Sequence, residues 1–389
     1  MTKADLQAVI AQKQAELIAL SDFIHAHPEE GNEEFLAYAK VVDWLKSNGF
    51  DVEEAVLGLK TAFKATRNVR GGGVKIGLLC EYDALKGLGH ACAHNLQSPA
   101  ILGAALALAE CLEVPATILV YGTPAEETTS GKLVMTQAGL FDELDLVFMM
   151  HGSDSTTVDE KSLALNLIDF IYEGKPAHAA IAPEKGISAL DAVLMLFNGM
   201  EYLREHVRSD VRFHGVITDG GKAANIVPAR AAAQFYVRAN DRPHLNEVLK
   251  RVMNVAEAAA LATGAKLTVQ EVKAYDNKLN VPTLNKLLLD NAAACGAPDI
   301  TPPRKQTGST DFSSVTYRVP GACLRVGIVK PGVASHTEAF REAAGDERGR
   351  QAILLAAKAI AACAWDVATD PALLTAIKTE FVEAKKASQ

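Results

Sequence analysis

Apolar runs and polar clusters alternate along this chain at a spacing that predicts an α/β protein. The first 48 residues read as two amphipathic helices. Leu6, Val9, Ile10 and Leu17 mark the apolar stripe of the first, and Val41, Val42 and Leu45 that of the second, placed at 35–46. The pairs His27-Pro28 and Gly31-Asn32 break the pattern between them. After three consecutive glycines at 71–73, short apolar runs at 74–79, 116–121, 146–150 and 323–329 predict strands. Most are continuous rather than alternating, as expected of strands buried on both faces, and helical segments separate the first three. The pattern therefore predicts a doubly covered, mostly parallel sheet.

A block with a different rhythm interrupts it. Strands at 163–172, 211–218, 229–239 and 266–273, with helices at 186–206 and 245–262, give β-α-β-β-α-β, the ferredoxin-like order. An inserted α+β domain is thus expected at 163–276, and the sheet domain at 1–162 and 277–389, ending in an Ala-rich helix at 350–366 and a charged tail. Two domains also suit 389 residues, beyond the size at which one core keeps growing.

Composition narrows the partners. A net charge of −8 with interspersed signs leaves no basic stripe for nucleic acid. The longest apolar run, 99–109, is too short to cross a bilayer, so no membrane partner is expected. Six scattered cysteines without a C-x-x-C pair read as reduced thiols, pointing to the cytoplasm.

The chemistry sits after the strands. Asp83, Cys92 and His94 follow the first, Glu126 and Glu127 the second, His151 the third and His336 the last. Ligands in α/β proteins bind at such strand ends. Taken singly, Cys92 reads as a buried thiol, the glutamates as solvated carboxylates and the histidines as structural. Together Cys92, His94, Glu127, His151 and His336 are five candidate ligands, enough for two divalent ions about 3.5–4 Å apart. Mixed sulfur, nitrogen and oxygen donors fit zinc and leave manganese or cobalt open. Two adjacent glutamates suit a division of labour in which one binds metal and the other carries a proton. There is no Walker loop, dinucleotide fingerprint or G-x-S-x-G elbow. A Cys92-based thiol nucleophile is a rival reading, and a non-catalytic binder of an amino-acid derivative is another.

Seven motifs, E-Y-D-A-L (81–85), H-A-C-A-H-N (90–95), P-A-E-E (124–127), A-H-A-A (177–180), A-N-I-V-P (224–228), G-S-T-D (308–311) and S-H-T (335–337), occur in an order that resembles the aminoacylase and carboxypeptidase family of di-metal amidohydrolases. The branch it is most similar to holds aminobenzoyl-glutamate hydrolases and dipeptidases acting on unusual dipeptides. The resemblance implies that Cys92, His94, Glu127, His151 and His336 bind two divalent ions, zinc or manganese, with Cys92 in the bridging place. It implies Glu126 as general base to a metal-bound hydroxide, and Asp83 as a carboxylate behind the ligands. It also implies that His178, Asn225 and Arg238 hold the substrate carboxylate and oxyanion, and that the inserted domain is a lid that pairs two subunits into a homodimer. The expected substrate is a small amide with a free carboxylate, an N-acyl amino acid or dipeptide. The chain departs from the family pattern at Ala93, where glycine is usual, at Lys86 and Gly152, where proline is usual, and at Asn95, where the wider family has aspartate and the resembled branch asparagine.

Overall fold

The computed structural model describes residues 1–303 and 308–388. In chain order the strands are β1 (Asp51–Glu54), β2 (Phe63–Val69), β3 (Val74–Cys80), β4 (Ala116–Gly122), β5 (Leu146–Ser153), β6 (Thr157–Val158), β7 (Ala164–Glu173), β8 (Arg212–Asp219), β9 (Arg230–Ala239), β10 (Lys266–Tyr275) and β11 (Gly321–Gly327). They form two sheets in two compact units. One unit comprises Met1–Lys161, the stretch from Lys278 and Asp311–Ala387; the other comprises Ser162–Asn277 with Gly308–Thr310.

The first unit holds a seven-stranded sheet in the order β1-β2-β4-β3-β5-β11-β6. Its core strands β4, β3, β5 and β11 are parallel, with Val74 opposite Ala116, Ile76 opposite Leu146 and Gly321 opposite Val147. The sheet is mixed rather than mostly parallel, because β2, β1 and β6 join antiparallel at its two sides. The apolar pattern missed those three for a physical reason. β2 interleaves Lys64, Arg67 and Asn68 with its buried residues, β1 is largely exposed and β6 is two residues long.

Both faces of this sheet are covered. Ile76, Leu78, Ile118, Val120, Leu146, Phe148 and Leu324 pack with helices Lys3–Ala26, Gln97–Cys111 and Glu347–Thr369 in one core. The alternate residues Leu79, Leu119, Tyr121, Val147, Met149 and Cys323 pack in a second core with Met135, Phe141 and Phe312. Period-two alternation between two dry faces is why these strands read as continuous apolar runs. The expected charged tail is instead a helix, Pro371–Ala387, anchored by buried Ile377. All six cysteines are free.

From β3 the chain moves to one side for β4 and to the other for β5. This is the switch point at which an open sheet leaves a crevice at its carboxyl edge.

The second unit is a four-stranded antiparallel sheet in the order β10-β7-β9-β8. Ile168, Phe170, Tyr172, Ala231, Ala233, Phe235 and Val237 form one core with the buried stripes of helices Ala189–Arg204 and Arg242–Thr263. Ser188 caps the first helix on Asp191 N, and Asp241 caps the second on His244 N.

Candidate metal centre

The candidate ligands of the first unit gather at the carboxyl ends of β3, β4, β5 and β11. The loop after β3 carries Cys92 and His94, and between them Ala93 adopts left-handed φ 60°. His94 Nδ1 lies 3.0 Å from the Asp83 carbonyl and 3.1 Å from Asp83 Oδ1. Those contacts place its proton on Nδ1 and turn Nε2 into the site. Asp83 Oδ2 accepts from Glu127 N at 3.0 Å, so one carboxylate ties the β3 loop to the β4 loop. This is the orienting contact that ligand histidines require. His151 donates from Nδ1 to the Gly152 carbonyl at 2.7 Å, and its Nε2 sits 3.4 Å from Cys92 Sγ. His336, at φ 64°, is held by its backbone N–H on the Ala91 carbonyl and brings Nε2 to 3.4 Å from Glu127 Oε1.

These contacts produce two triads with a common member. Cys92, His94 and His151 have donor atoms within 4.8 Å of one another, as have Cys92, Glu127 and His336. A third triad joins His94, Glu126 and Glu127. All five expected ligands and Glu126 therefore converge, and Cys92 belongs to both principal triads.

The surroundings suit cations. His94 Nε2 is buried and makes no hydrogen bond, although Glu81 Oε2 is 3.1 Å away. Burial alone would lower the His94 pKa, yet Glu81, Cys92 and Asp83 outweigh it and hold the imidazole well above its usual value. Burial likewise opposes the charge of Glu127, but neighbouring His336 and His94 hold it at about 2. The donor set of thiol, imidazole and carboxylate can hold divalent metal ions, and the anionic pocket calls for positive charge. The residues present fit two divalent ions. Burial pushes the Cys92 thiol up to about 12, so a thiolate there requires a cation beside it.

Four groups that the sequence did not single out complete the pocket. Lys132, fully buried at the start of the helix Gly131–Gln137, pairs with Glu81 Oε1 at 2.6 Å and Asp311 Oδ1 at 2.9 Å. Gln97 Nε2 donates to Glu81 Oε2 at 2.5 Å. Buried Glu34 accepts from Thr61 Oγ1 and from Ala125 N, both at 2.8 Å. Ala125 is itself left-handed at φ 61° and immediately precedes Glu126. Arg325, opposite His151 across β11 and β5, pairs with Asp159 at 2.6 Å and puts Nη1 3.3 Å from His151 Nδ1. With burial, it pulls the His151 pKa down to about 4. None of the four carries a sequence signal, because each is placed by contacts between distant segments, as Lys132 is by Glu81 and Asp311.

The remaining expected residues lie in the second unit. His178 and Asn225 are neighbours: Ala179 N donates to the Asn225 carbonyl at 3.0 Å, and His178 bridges Ile226. Ala180 N donates to His178 Nδ1 at 3.3 Å, which leaves the ring proton on Nε2, a donor. Arg238 lies near the far end of β9 from this loop, since Arg230 at the near end pairs with Glu173. Eight residues of strand separate Arg230 from Arg238, about 26 Å at the usual rise. Arg238 stacks its guanidinium 5.1 Å from the Tyr236 ring and reaches Ser309 Oγ at 3.4 Å. The unit thus brings His178 to Asn225 and keeps both away from Arg238.

A carboxyl-edge crevice that gathers cysteine, histidine and glutamate beside a buried acidic pocket defines an α/β protein with a candidate metal site. Residues 79–359 match the sequence pattern of Peptidase family M20/M25/M40, and the chain belongs to that family. The Xaa-Arg dipeptidase of Mus musculus is 35% identical over 380 residues, covering 93% of this chain and 88% of that protein. A p-aminobenzoyl-glutamate hydrolase component from Escherichia coli is 33% identical over 302 residues, covering 72% of this chain and 62% of that protein. Among solved structures, the aminobenzoyl-glutamate utilization protein of Klebsiella pneumoniae superposes with a TM-score of 0.74 at 20% identity, over 93% of this chain and 98% of that one. The YXEP protein of Bacillus subtilis, described as a dinuclear metal binding peptidase, superposes at 0.71 with 21% identity, over 92% and 99%. The chain is an enzyme of the peptidase and amidohydrolase type.

Proposed function

We propose that this enzyme uses two divalent ions to hydrolyse the amide bond of an N-acyl amino acid or dipeptide whose amino-acid half keeps a free carboxylate. The observation that carries the proposal is Cys92, shared by the triad with His94 and His151 and the triad with Glu127 and His336. These residues would hold zinc or manganese ions, Cys92 between them. When bound, such ions supply Lewis acidity that polarises the scissile carbonyl and acidifies the attacking water.

The chain's own groups do the rest. Glu126, next to a ligand but not needed in either principal triad, takes the proton of the attacking water and returns it to the leaving nitrogen. His178, with its proton on Nε2, donates to the developing oxyanion, and Asn225 supports the same end of the substrate. Arg238 takes the substrate carboxylate in the two-pronged manner that suits a guanidinium. The length of β9 between the His178 loop and Arg238 supports a homodimer through the second unit, in which His178 serves the partner's site and the second unit acts as a lid. The reduced cysteines support a cytoplasmic location. A thiol-dependent alternative is disfavoured, because a Cys92 thiol at about 12 is protonated at neutral pH without a cation.

The test is metal content by elemental mass spectrometry, with hydrolysis of a panel of N-acyl amino acids and dipeptides, Xaa-Arg and aminobenzoyl-glutamate among them, before and after chelation. About two equivalents of metal per chain, with activity lost on chelation and regained on metal return, is the expected result. Chelator-resistant activity abolished by alkylation of Cys92 would overturn it.

A further inference from the structure

Beside the candidate metal ligands lies a second cluster, built from acids that no ligand assignment uses. Glu81, Glu126 and Asp311 each place a carboxylate oxygen within 4.8 Å of the others. Glu81 and Asp311 are buried, with 1% and 0% of their surface exposed. Like charges this close cannot all persist in a dry site unless a cation joins them. The cluster has the composition of a third cation site, and the protein fills it.

The filling group is Lys132. Its side chain is 0% exposed, and its ammonium pairs with Glu81 Oε1 at 2.6 Å and with Asp311 Oδ1 at 2.9 Å. A lysine is almost never fully buried unless it is paired in this way. The second oxygen of each partner is also engaged: Gln97 Nε2 donates to Glu81 Oε2, and Ser130 Oγ donates to Asp311 Oδ2 at 2.6 Å. Ser130 also caps the short helix that carries Lys132, at left-handed φ 62°, with its Oγ 3.3 Å from Leu133 N. The cage is thus assembled around the ammonium from three loops. Burial opposes the lysine's charge, but Asp311, Glu81 and Glu126 together raise its pKa, which favours the ammonium form.

We propose that Lys132 is a positioning residue whose ammonium acts as a resident cation: it fixes Glu81 and Asp311 as a frame around the Glu126 carboxylate and closes this cluster to a third metal ion. The frame rests on the reading of Glu126 as the proton carrier. The resident charge itself does not. Glu81 also stands 3.1 Å from His94 Nε2, so the frame keeps the proton-carrying carboxylate in register with the metal centre.

The experiment uses the full chain with K132A, D311N and K132A/D311N beside wild type. Metal content is read after equilibration with excess manganese and removal of the unbound ion. K132A is expected to carry one further equivalent relative to wild type, since its three carboxylates have lost their cation. Equal content in a folded K132A overturns the resident-cation role. In turnover, K132A is expected to lose about 100-fold in kcat with KM changed by less than about threefold. Methylammonium should restore part of that rate while ethanol, of similar size and uncharged, should not. A kcat near wild type, or equal rescue by ethanol, overturns the positioning role. Where K132A fails to fold, the double variant decides: removing one carboxylate with the cation must recover a protein that folds and melts cooperatively, and a double variant that also fails to fold refutes the charge balance. Where K132A folds, the coupling between the two substitutions is read in the melting temperatures of wild type, K132A, D311N and the double variant. Failure of the metal-dependent mechanism would show instead in wild type, as hydrolysis indifferent to chelation.

Discussion

Glu34 offers the sharpest test of how the metal centre is held. Its carboxylate is fully buried and accepts two hydrogen bonds, one from Thr61 Oγ1 and one from Ala125 N, each at 2.8 Å. In Glu34→Ala both donors lose their acceptor. A buried unsatisfied donor costs about 1–3 kcal/mol, and the Thr61 hydroxyl can turn elsewhere while the Ala125 N–H cannot, so a loss of about 2–4 kcal/mol is expected. Glu34→Gln should behave differently. Its amide oxygen can face Ala125 N while its NH2 donates to the Thr61 hydroxyl, which accepts as readily as it donates, so the cost should stay within about 1 kcal/mol.

Activity should follow the same split. Ala125 holds φ 61° directly before Glu126, a conformation that costs about 1–3 kcal/mol and persists only where the surroundings impose it. Freed in Glu34→Ala, the loop shifts both site glutamates, and a displacement near 1 Å costs on the order of 100-fold in turnover. The pH dependence has a definite sign. Burial raises the Glu34 pKa above its ordinary 4.5, so its contribution to stability is full below that value and declines as pH rises through the folded pKa. Glu34→Gln lacks this titration and should gain on wild type over that window. Urea unfolding midpoints at fixed metal concentration, from acid to neutral pH, read the two stability effects, and turnover at neutral pH reads the loop shift. A Glu34→Ala protein as stable and active as wild type, or a Glu34→Gln protein as damaged as Glu34→Ala, would refute the reasoning.

Other outcomes follow from the same geometry. Glu126→Gln should abolish turnover and retain wild-type metal content; near-normal activity with full metal would remove Glu126 as the proton carrier. His178→Ala and Arg238→Ala should each depress turnover without metal loss, and mixing the two inactive proteins should regain activity if His178 serves the partner's site, whereas a mixture that stays inactive places both in one subunit. Gly152→Ala should cost about 1–3 kcal/mol, because a Cβ there would meet Ala93 Cβ at 2.8 Å and Ile328 Cδ1 at 3.0 Å. Adding Ala93→Gly removes the nearer clash, and thermal melts should show the pair closer to wild type than Gly152→Ala alone.

The candidate ligands were legible because their signal is local to each strand end. A buried strand is a continuous apolar run, and polar residues crowded just beyond it have few structural uses. Cys92, His94, Glu126, Glu127, His151 and His336 each carry that mark. What was not legible is contact between distant segments. Glu34 sits 91 residues from the backbone N–H it holds, and Ser130 lies 181 residues from Asp311. Lys132 on a short helix reads as an ordinary surface lysine until Glu81 and Asp311 are seen on either side of it. The antiparallel strands were hidden for a related reason, since an edge strand with one wet face has no continuous apolar run.

Ala93 and Gly152 show how the fold joins departures that the sequence presents as separate. Each departs from the pattern that the resemblance implies, and in the direction expected to do harm: alanine where glycine is expected, and glycine where proline is expected. In space they face each other, and the Ala93 methyl fills the volume that a Cβ at position 152 would take. Ala93 also keeps the left-handed φ of 60° that a glycine would adopt with less strain, so the substitution adds a buried methyl without changing the path of the ligand loop. The pair therefore conserves packing between the Cys92-His94 loop and the His151 strand. Neither change displaces a ligand, because one position has gained the atom that the other has given up.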